Sequence, residues 1–243
     1  MKVIKASKKR SQGNDIFHID ILYPGLALGL SDTGYYTIGR IDHASFRPPG
    51  RVPMHPHRND EILSYMRSGL QIHKDSTGHQ EQVSASKLML MNAGSGIFHE
   101  EIAEKEVEML QIFMRPSENG LAPKVQFHQF PDVYSENEWR LVAGNAPHAP
   151  LELRTDTNIF DARLPKDKVL QLPAVSERNV YLLYCFNGTV SVAGNILEKG
   201  DSIVFNNEDI SVNAITESDL VLFQIKEDAK YSDTGMYSGN QFK

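Results

Sequence analysis

From Glu61 to Met114 the chain is a succession of short apolar runs, each closed by a turn signal, and this limits it to β architecture. "EILSYM" ends at Ser68-Gly69. "LQIHKD" leads into Ser76-Thr77-Gly78, where glycine supplies the positive φ that a hairpin turn needs. "EQVSAS" is followed by "KLMLMNA" and then by turn glycines at Gly94 and Gly96. "IFHEEI" comes next, and the alternating "EVEMLQIFM" stops at Arg115-Pro116. Segments this short and this closely spaced predict strands of an all-β sandwich or barrel.

Residues 116–150 differ in character. Pro116, Pro123, Pro131, Pro147 and Pro150 fall here with Gly120 and Gly144, which predicts a crossover between two β units. Strand signals then resume in "NVYLLYCFNGTVSVAGNILEKGDSIVF", with turns at Asn187-Gly188 and Gly194-Asn195, and "DLVLFQI" closes the unit. A weak internal repeat pairs "YMRSGLQIHKDSTGH…ASKLMLMNAG" with "YCFNGTVSVAGNI…KGDSIVFNNE", so two copies of one fold are expected. The expected domains are 1–130, holding the functional site, and 131–243. The polar end, "EDAKYSDTGMYSGNQFK", is expected to run over the surface.

The 243 residues are 40% hydrophobic and 23% charged, an ordinary globular balance. A formal charge of −6 argues against general affinity for nucleic acid or an anionic membrane. Lys2, Lys5, Lys8, Lys9 and Arg10 read as a solvated start to the chain. The single cysteine, Cys185, sits in an apolar run and reads as a buried, inert thiol; one cysteine allows no intrachain disulfide. No apolar run approaches a membrane span. A soluble cytoplasmic protein is the expectation.

Two short pairs carry the chemistry: His55 and His57 in "MHPHRNDE", and His99 and Glu101 in "GSGIFHEEI". Spacing of i, i+2 on a strand puts both side chains of a pair on one face. Two facing strands would then aim three imidazoles and a carboxylate at one point, a set of ligands for a divalent transition metal. Parity selects Glu101 over Glu100. Without thiolate, the donors suit Fe(II), Mn(II), Co(II), Ni(II), Cu(II) or Zn(II), and an octahedral ion would keep two positions open. Pro56 cannot donate to a ladder, so its segment is expected at an edge or a strand start. Glu61 keeps the parity of His55 and His57 but stands roughly 13 Å from His57 in an extended strand, which leaves it at most a supporting role. His73 and His79 are expected to be exposed, Arg58 is placed at the cleft rim or the plain surface, and His18, His43, His128 and His148 have no ligand-like partner nearby. All nine histidines lie at or before His148, so only the first of two duplicated units can hold a histidine site.

At these residues the chain resembles the pirin family of the cupin superfamily. "PPGRVPMHPHRNDEILSY" is similar to the family's first signature, and "GHQEQVSASKLMLMNAGSGIFHEE" to the second, which ends G-x-G-I-x-H-x-E. "LQIFMRPSENGLAP" resembles the segment closing the N-terminal cupin domain. Two departures stand out: "FHIDILYPGLALGLSDTGYYTIGR" lacks the family's Phe-rich stretch, and Asn59-Asp60 replaces the usual residues after HPHR. The resemblance implies a bicupin, two tandem antiparallel β-barrel (jelly-roll) domains. It implies one divalent metal, iron(II) ahead of nickel, copper, manganese, cobalt or zinc, held by His55, His57, His99 and Glu101.

Family members include quercetin 2,3-dioxygenases and nuclear transcription co-regulators. The first expectation is therefore a metal-dependent dioxygenase that takes a small aromatic or enolisable substrate and dioxygen, with Glu101 accepting the substrate hydroxyl proton. In the family reaction the heterocycle is opened with loss of carbon monoxide. The alternative is a non-enzymatic metal or redox sensor that binds a protein partner. A degenerate cupin without metal is a third reading. Direct nucleic-acid and membrane contacts are not expected, and the duplicated architecture makes a monomer sufficient.

Overall fold

The computed structural model describes residues 1–173, 178–206 and 210–242. Strands dominate, and the one α-helix among the described residues is Pro24–Leu28. No helix among the described residues is long and apolar enough to cross a membrane.

Contacts divide the chain into two compact units. One comprises residues 9–133, 151–155 and 230–243; the other comprises 1–8, 134–150 and 156–229. The sequence expectation is a single cut at 130/131, whereas contacts draw 151–155 and the C-terminal segment into the histidine-bearing unit.

That unit is built on a sheet whose strands run in the order Lys124–Gln129, Lys87–Asn92, Glu61–Asp75, Ile97–Met114, Ile38–Phe46, Phe17–Leu22 and Arg10–Gly13, all antiparallel. Arg51–His57 pairs beside this path with Ile97–Met114, and Gln80–Ser84 pairs with Glu61–Asp75. "IFHEEI" and "EVEMLQIFM" are one strand of 18 residues rather than two. Its partner, Glu61–Asp75, has 15 residues, and register shifts at Met66–Ser68, Ser68–Leu70 and Leu70–Gln71 let the pair bend without ending. The bend divides the work: one half builds core, with Ile62, Leu63, Leu110 and Ile112 fully buried, and the other half carries His73, His99 and Glu101.

The other unit packs a six-stranded sheet and a four-stranded sheet around Tyr181, Leu183, Cys185, Phe205, Val212 and Leu222. Tyr181 stacks on Phe205 with centroids 5.2 Å apart, so large side chains fill this interior. Cys185 is buried there, as the apolar run predicts. Its hairpin Thr189–Val192 to Asn195–Glu198 turns at Ala193-Gly194, both at positive φ, one residue earlier than the sequence suggests. Asn207 and Glu208 of the repeat lie outside the described residues.

The C-terminal segment departs from the surface path expected of its polar composition. Ser238 is fully buried, and its N–H and hydroxyl both donate to Asp60 Oδ1, at 2.8 and 2.7 Å. Arg115 Nε donates to the Ser238 carbonyl at 2.7 Å, and its two terminal nitrogens grip Asp32 at 2.7 Å each. Polar side chains here satisfy buried partners rather than water, which composition alone does not reveal.

Candidate metal centre

Strand pairing brings the two histidine pairs together. Arg51–His57 runs antiparallel to Ile97–Met114 with His55 opposite His99, and one extra residue between Val52 and His55 sets that register. Pro53 and Pro56 both fall on this strand, which fits a segment paired off the main sheet path. The turn into His99 is fixed by Gly94: its φ is +50°, and an added Cβ would stand 2.0 Å from the Leu121 carbonyl oxygen. Asn59, also at positive φ, donates its N–H to the Gly94 carbonyl at 2.8 Å and so ties the two histidine segments to each other.

His55, His57 and His99 present ligand atoms that all lie within 4.8 Å of one another. Their ring centroids are 4.4 to 4.9 Å apart. His99 is fully buried and His57 nearly so, while His55 is half-buried. Burial, then the neighbouring imidazoles of His57, His55 and His73, push the His99 imidazole far below its ordinary range; burial also lowers His55. Neutral rings offering lone pairs are what a metal ion requires.

The observation that tests the fit is a pair of orphaned atoms. His57 Nε2 and His99 Nε2 are buried and have no hydrogen-bond partner. Each ring meets the protein through its other nitrogen. His55 Nδ1 lies 2.8 Å from the Pro53 carbonyl, His57 Nδ1 lies 3.4 Å from Asp60 Oδ2, and His99 Nδ1 lies 3.4 Å from His73 Nδ1. Two costly buried nitrogens on rings of one histidine cluster are accounted for by a cation bound to that cluster. The three-histidine cluster fits a divalent metal.

Glu101 is buried on the same strand but stands outside the three-histidine group. Gln71 Nε2 donates to its Oε1 at 2.9 Å, and Gln111 Nε2 lies 3.4 Å from both oxygens. Glu100 faces the other way, paired with Arg51 and Lys74. Glu61 is also elsewhere: it accepts from Asn92 Nδ2 at 2.6 Å and from the Arg154 N–H at 2.9 Å. His79 is half-buried, and His73, expected at the surface, is fully buried. The register shifts that bend its strand turn Gln71, His73 and Asp75 inward, opposite Ala103, Glu101 and His99. The same i, i+2 spacing that flags His55 and His57 also links these three, and was the available signal. Asp60 and Tyr237, whose ring lies 5.1 Å from that of His57, were not legible as parts of the site.

A cavity of about 440 Å³ opens beside His57, lined by Arg58, Ile97, Phe98, Thr234 and Met236. Arg58 thus lies at the cleft.

Residues 34–114 match the family described as Pirin, and residues 141–225 match the Quercetinase C-terminal cupin domain. A quercetin 2,3-dioxygenase of Escherichia coli (strain K12) is 30% identical over 175 residues, which span 70% of this chain and 74% of the relative. The chain belongs to the pirin family. Its pirin relatives include a pirin-like protein of Caulobacter vibrioides, 30% identical over 180 residues, or 72% of this chain and 77% of that one. The crystal structure of the bacterial pirin YhhW of Escherichia coli in complex with nickel(II) superposes with a TM-score of 0.81 at 23% identity, covering 93% of this chain and 98% of that one. The all-β, two-cupin pirin architecture expected from the sequence is therefore the fold of this chain.

Proposed function

We propose that this pirin-family chain is a metal-dependent dioxygenase acting on quercetin or a related enolisable aromatic compound. His55, His57, His99 and Glu101 would hold one divalent ion, iron(II) in first place. The observation that carries this reading is the convergence of the buried, unpartnered Nε2 atoms of His57 and His99 beside His55. A relative named quercetin 2,3-dioxygenase and a nickel(II)-bound pirin support the chemistry. The ion would supply Lewis acidity and open positions for ligands.

The chain's own groups do the rest. Phe98, Ile97 and Met236 offer an apolar wall to a flat aromatic ring beside His57. Arg58 sits on the same cavity and can attract an ionised substrate oxygen. Glu101 accepts from Gln71 at Oε1, and the remaining lone pairs of its carboxylate would serve the ion and the substrate hydroxyl proton.

Elemental analysis of untagged protein, with oxygen uptake and carbon monoxide release on quercetin, tests this. Wild type should carry about one divalent ion per chain and turn quercetin over, and His99→Ala should lose both. Turnover by the metal-free variant would overturn the reading. Metal-loaded wild type without turnover would favour the sensor alternative.

A further inference from the structure

His73 and Asp75 are buried polar groups for which the proposed chemistry has no use. His73 is fully buried, and so is the Asp75 side chain. Their strand pairs with Ile97–Met114, with Asp75 opposite His99 and His73 opposite Glu101. Asp75 Oδ2 lies 2.9 Å from His73 Nε2, and His73 Nδ1 lies 3.4 Å from His99 Nδ1.

We propose that His73 and Asp75 are positioning residues that set the tautomer of His99, and thereby turn a bare Nε2 towards the metal cluster. This rests on the reading of His99 as a ligand. Asp75 Oδ1 accepts from the Thr77 N–H at 2.8 Å and from the Thr77 hydroxyl at 2.6 Å, so it is an acceptor, and the carboxylate's other oxygen faces His73. His73 Nε2 must then carry the proton and donate to Asp75. A neutral imidazole has one N–H, so His73 Nδ1 is an acceptor. Across 3.4 Å it can accept only if His99 Nδ1 carries its ring's proton. His99 Nε2 is then unprotonated, and it is the same buried atom that lacks a partner.

A change of one oxygen to NH2 at Asp75 should reverse the relay. In Asp75→Asn the amide oxygen can keep the Thr77 contacts and so preserve the turn. Its NH2 would then face His73 Nε2 as a donor. His73 would shift its proton to Nδ1, His99 would become the Nε2–H tautomer, and an N–H would point into the cluster.

Nitrogen-15 NMR of the full, metal-free chain reads the tautomer directly, and titration with nickel(II) alone against a competing chelator reads affinity. Wild type should show His99 as Nδ1–H, and Asp75→Asn should show Nε2–H with affinity lowered about 10- to 100-fold. His73→Leu removes the acceptor without touching the turn and should also weaken binding. His73→Gln, whose amide can accept from His99 and donate to Asp75, should recover most of it. The proposal is overturned if metal-free wild type carries Nε2–H at His99, or if Asp75→Asn and His73→Leu both keep the wild-type tautomer and affinity. Wild type that shows Nδ1–H yet binds no nickel(II) would overturn the metal reading and leave the relay supported.

Discussion

Gln71 Nε2 donates to Glu101 Oε1 at 2.9 Å, across two strands whose register has already slipped three times before the pair meets. The contact orients a buried carboxylate beside three imidazoles and occupies one of its oxygens. Gln71→Leu would release Glu101 and remove a donor from its charge. With Glu101 a ligand as proposed, affinity for a divalent ion should fall about 10- to 100-fold, the usual cost of losing a group that orients a ligand. Isothermal titration with nickel(II) measures this, and unchanged affinity would mean that Gln71 does not position Glu101.

Strand periodicity was enough to single out His55, His57 and His99, which the fold gathers within 4.8 Å of one another, because parity is local and needs no knowledge of the partner strand. It also separated Glu100 from Glu101. His73 was expected at the surface because it flanks a hairpin; bulges between Met66 and Gln71 reset which face of its strand is inward, and only its i, i+2 spacing from Gln71 and Asp75 hints at this. Asn59 and Asp60, legible only as departures from a family pattern, are structural anchors: Asn59 adopts a positive φ and Asp60 receives both His57 and the C-terminal segment. The tail's burial depends on partners more than a hundred residues away, and its own composition cannot report them.

Met236 is one wall of the cavity beside His57 and remains partly exposed. Truncating it to alanine removes about 1 kcal/mol of apolar contact with a flat aromatic substrate. Met236→Ala should therefore raise KM for quercetin about fivefold with kcat nearly unchanged, since the lost contact is equal in ground and transition states. Steady-state oxygen uptake checks this. A fall in kcat at constant KM would place Met236 in the chemistry instead.

Arg115 is fully buried and binds Asp32 through both terminal nitrogens and the Ser238 carbonyl through Nε. Arg115→Met keeps the bulk but strands these acceptors. The loss should be about 3 kcal/mol, at the low end for a broken buried pair because Asp32 retains some solvent contact. Urea unfolding at neutral pH measures it. The same variant should loosen the segment bearing Thr234 and Met236, so KM for quercetin should rise with it.

Glu61 links burial to pH. Burial raises its carboxyl from an ordinary value near 4.5 to about 7, against the hydrogen bonds from the Arg154 N–H and Asn92. Below pH 4.5 the group is protonated in folded and unfolded chains alike and contributes no pH dependence. Between 4.5 and about 7 the unfolded chain releases a proton that the folded chain keeps, so stability falls as pH rises. Above that window both forms are ionised, and the whole cost, about 3 kcal/mol, is present. Glu61→Gln keeps an acceptor for Arg154 and Asn92 but cannot ionise. Relative to wild type it should gain at least about 2 kcal/mol on going from pH 5 to pH 8. Urea unfolding of both proteins at the two pH values measures the difference, and parallel pH dependence would show that Glu61 ionises in the fold as readily as in the unfolded chain.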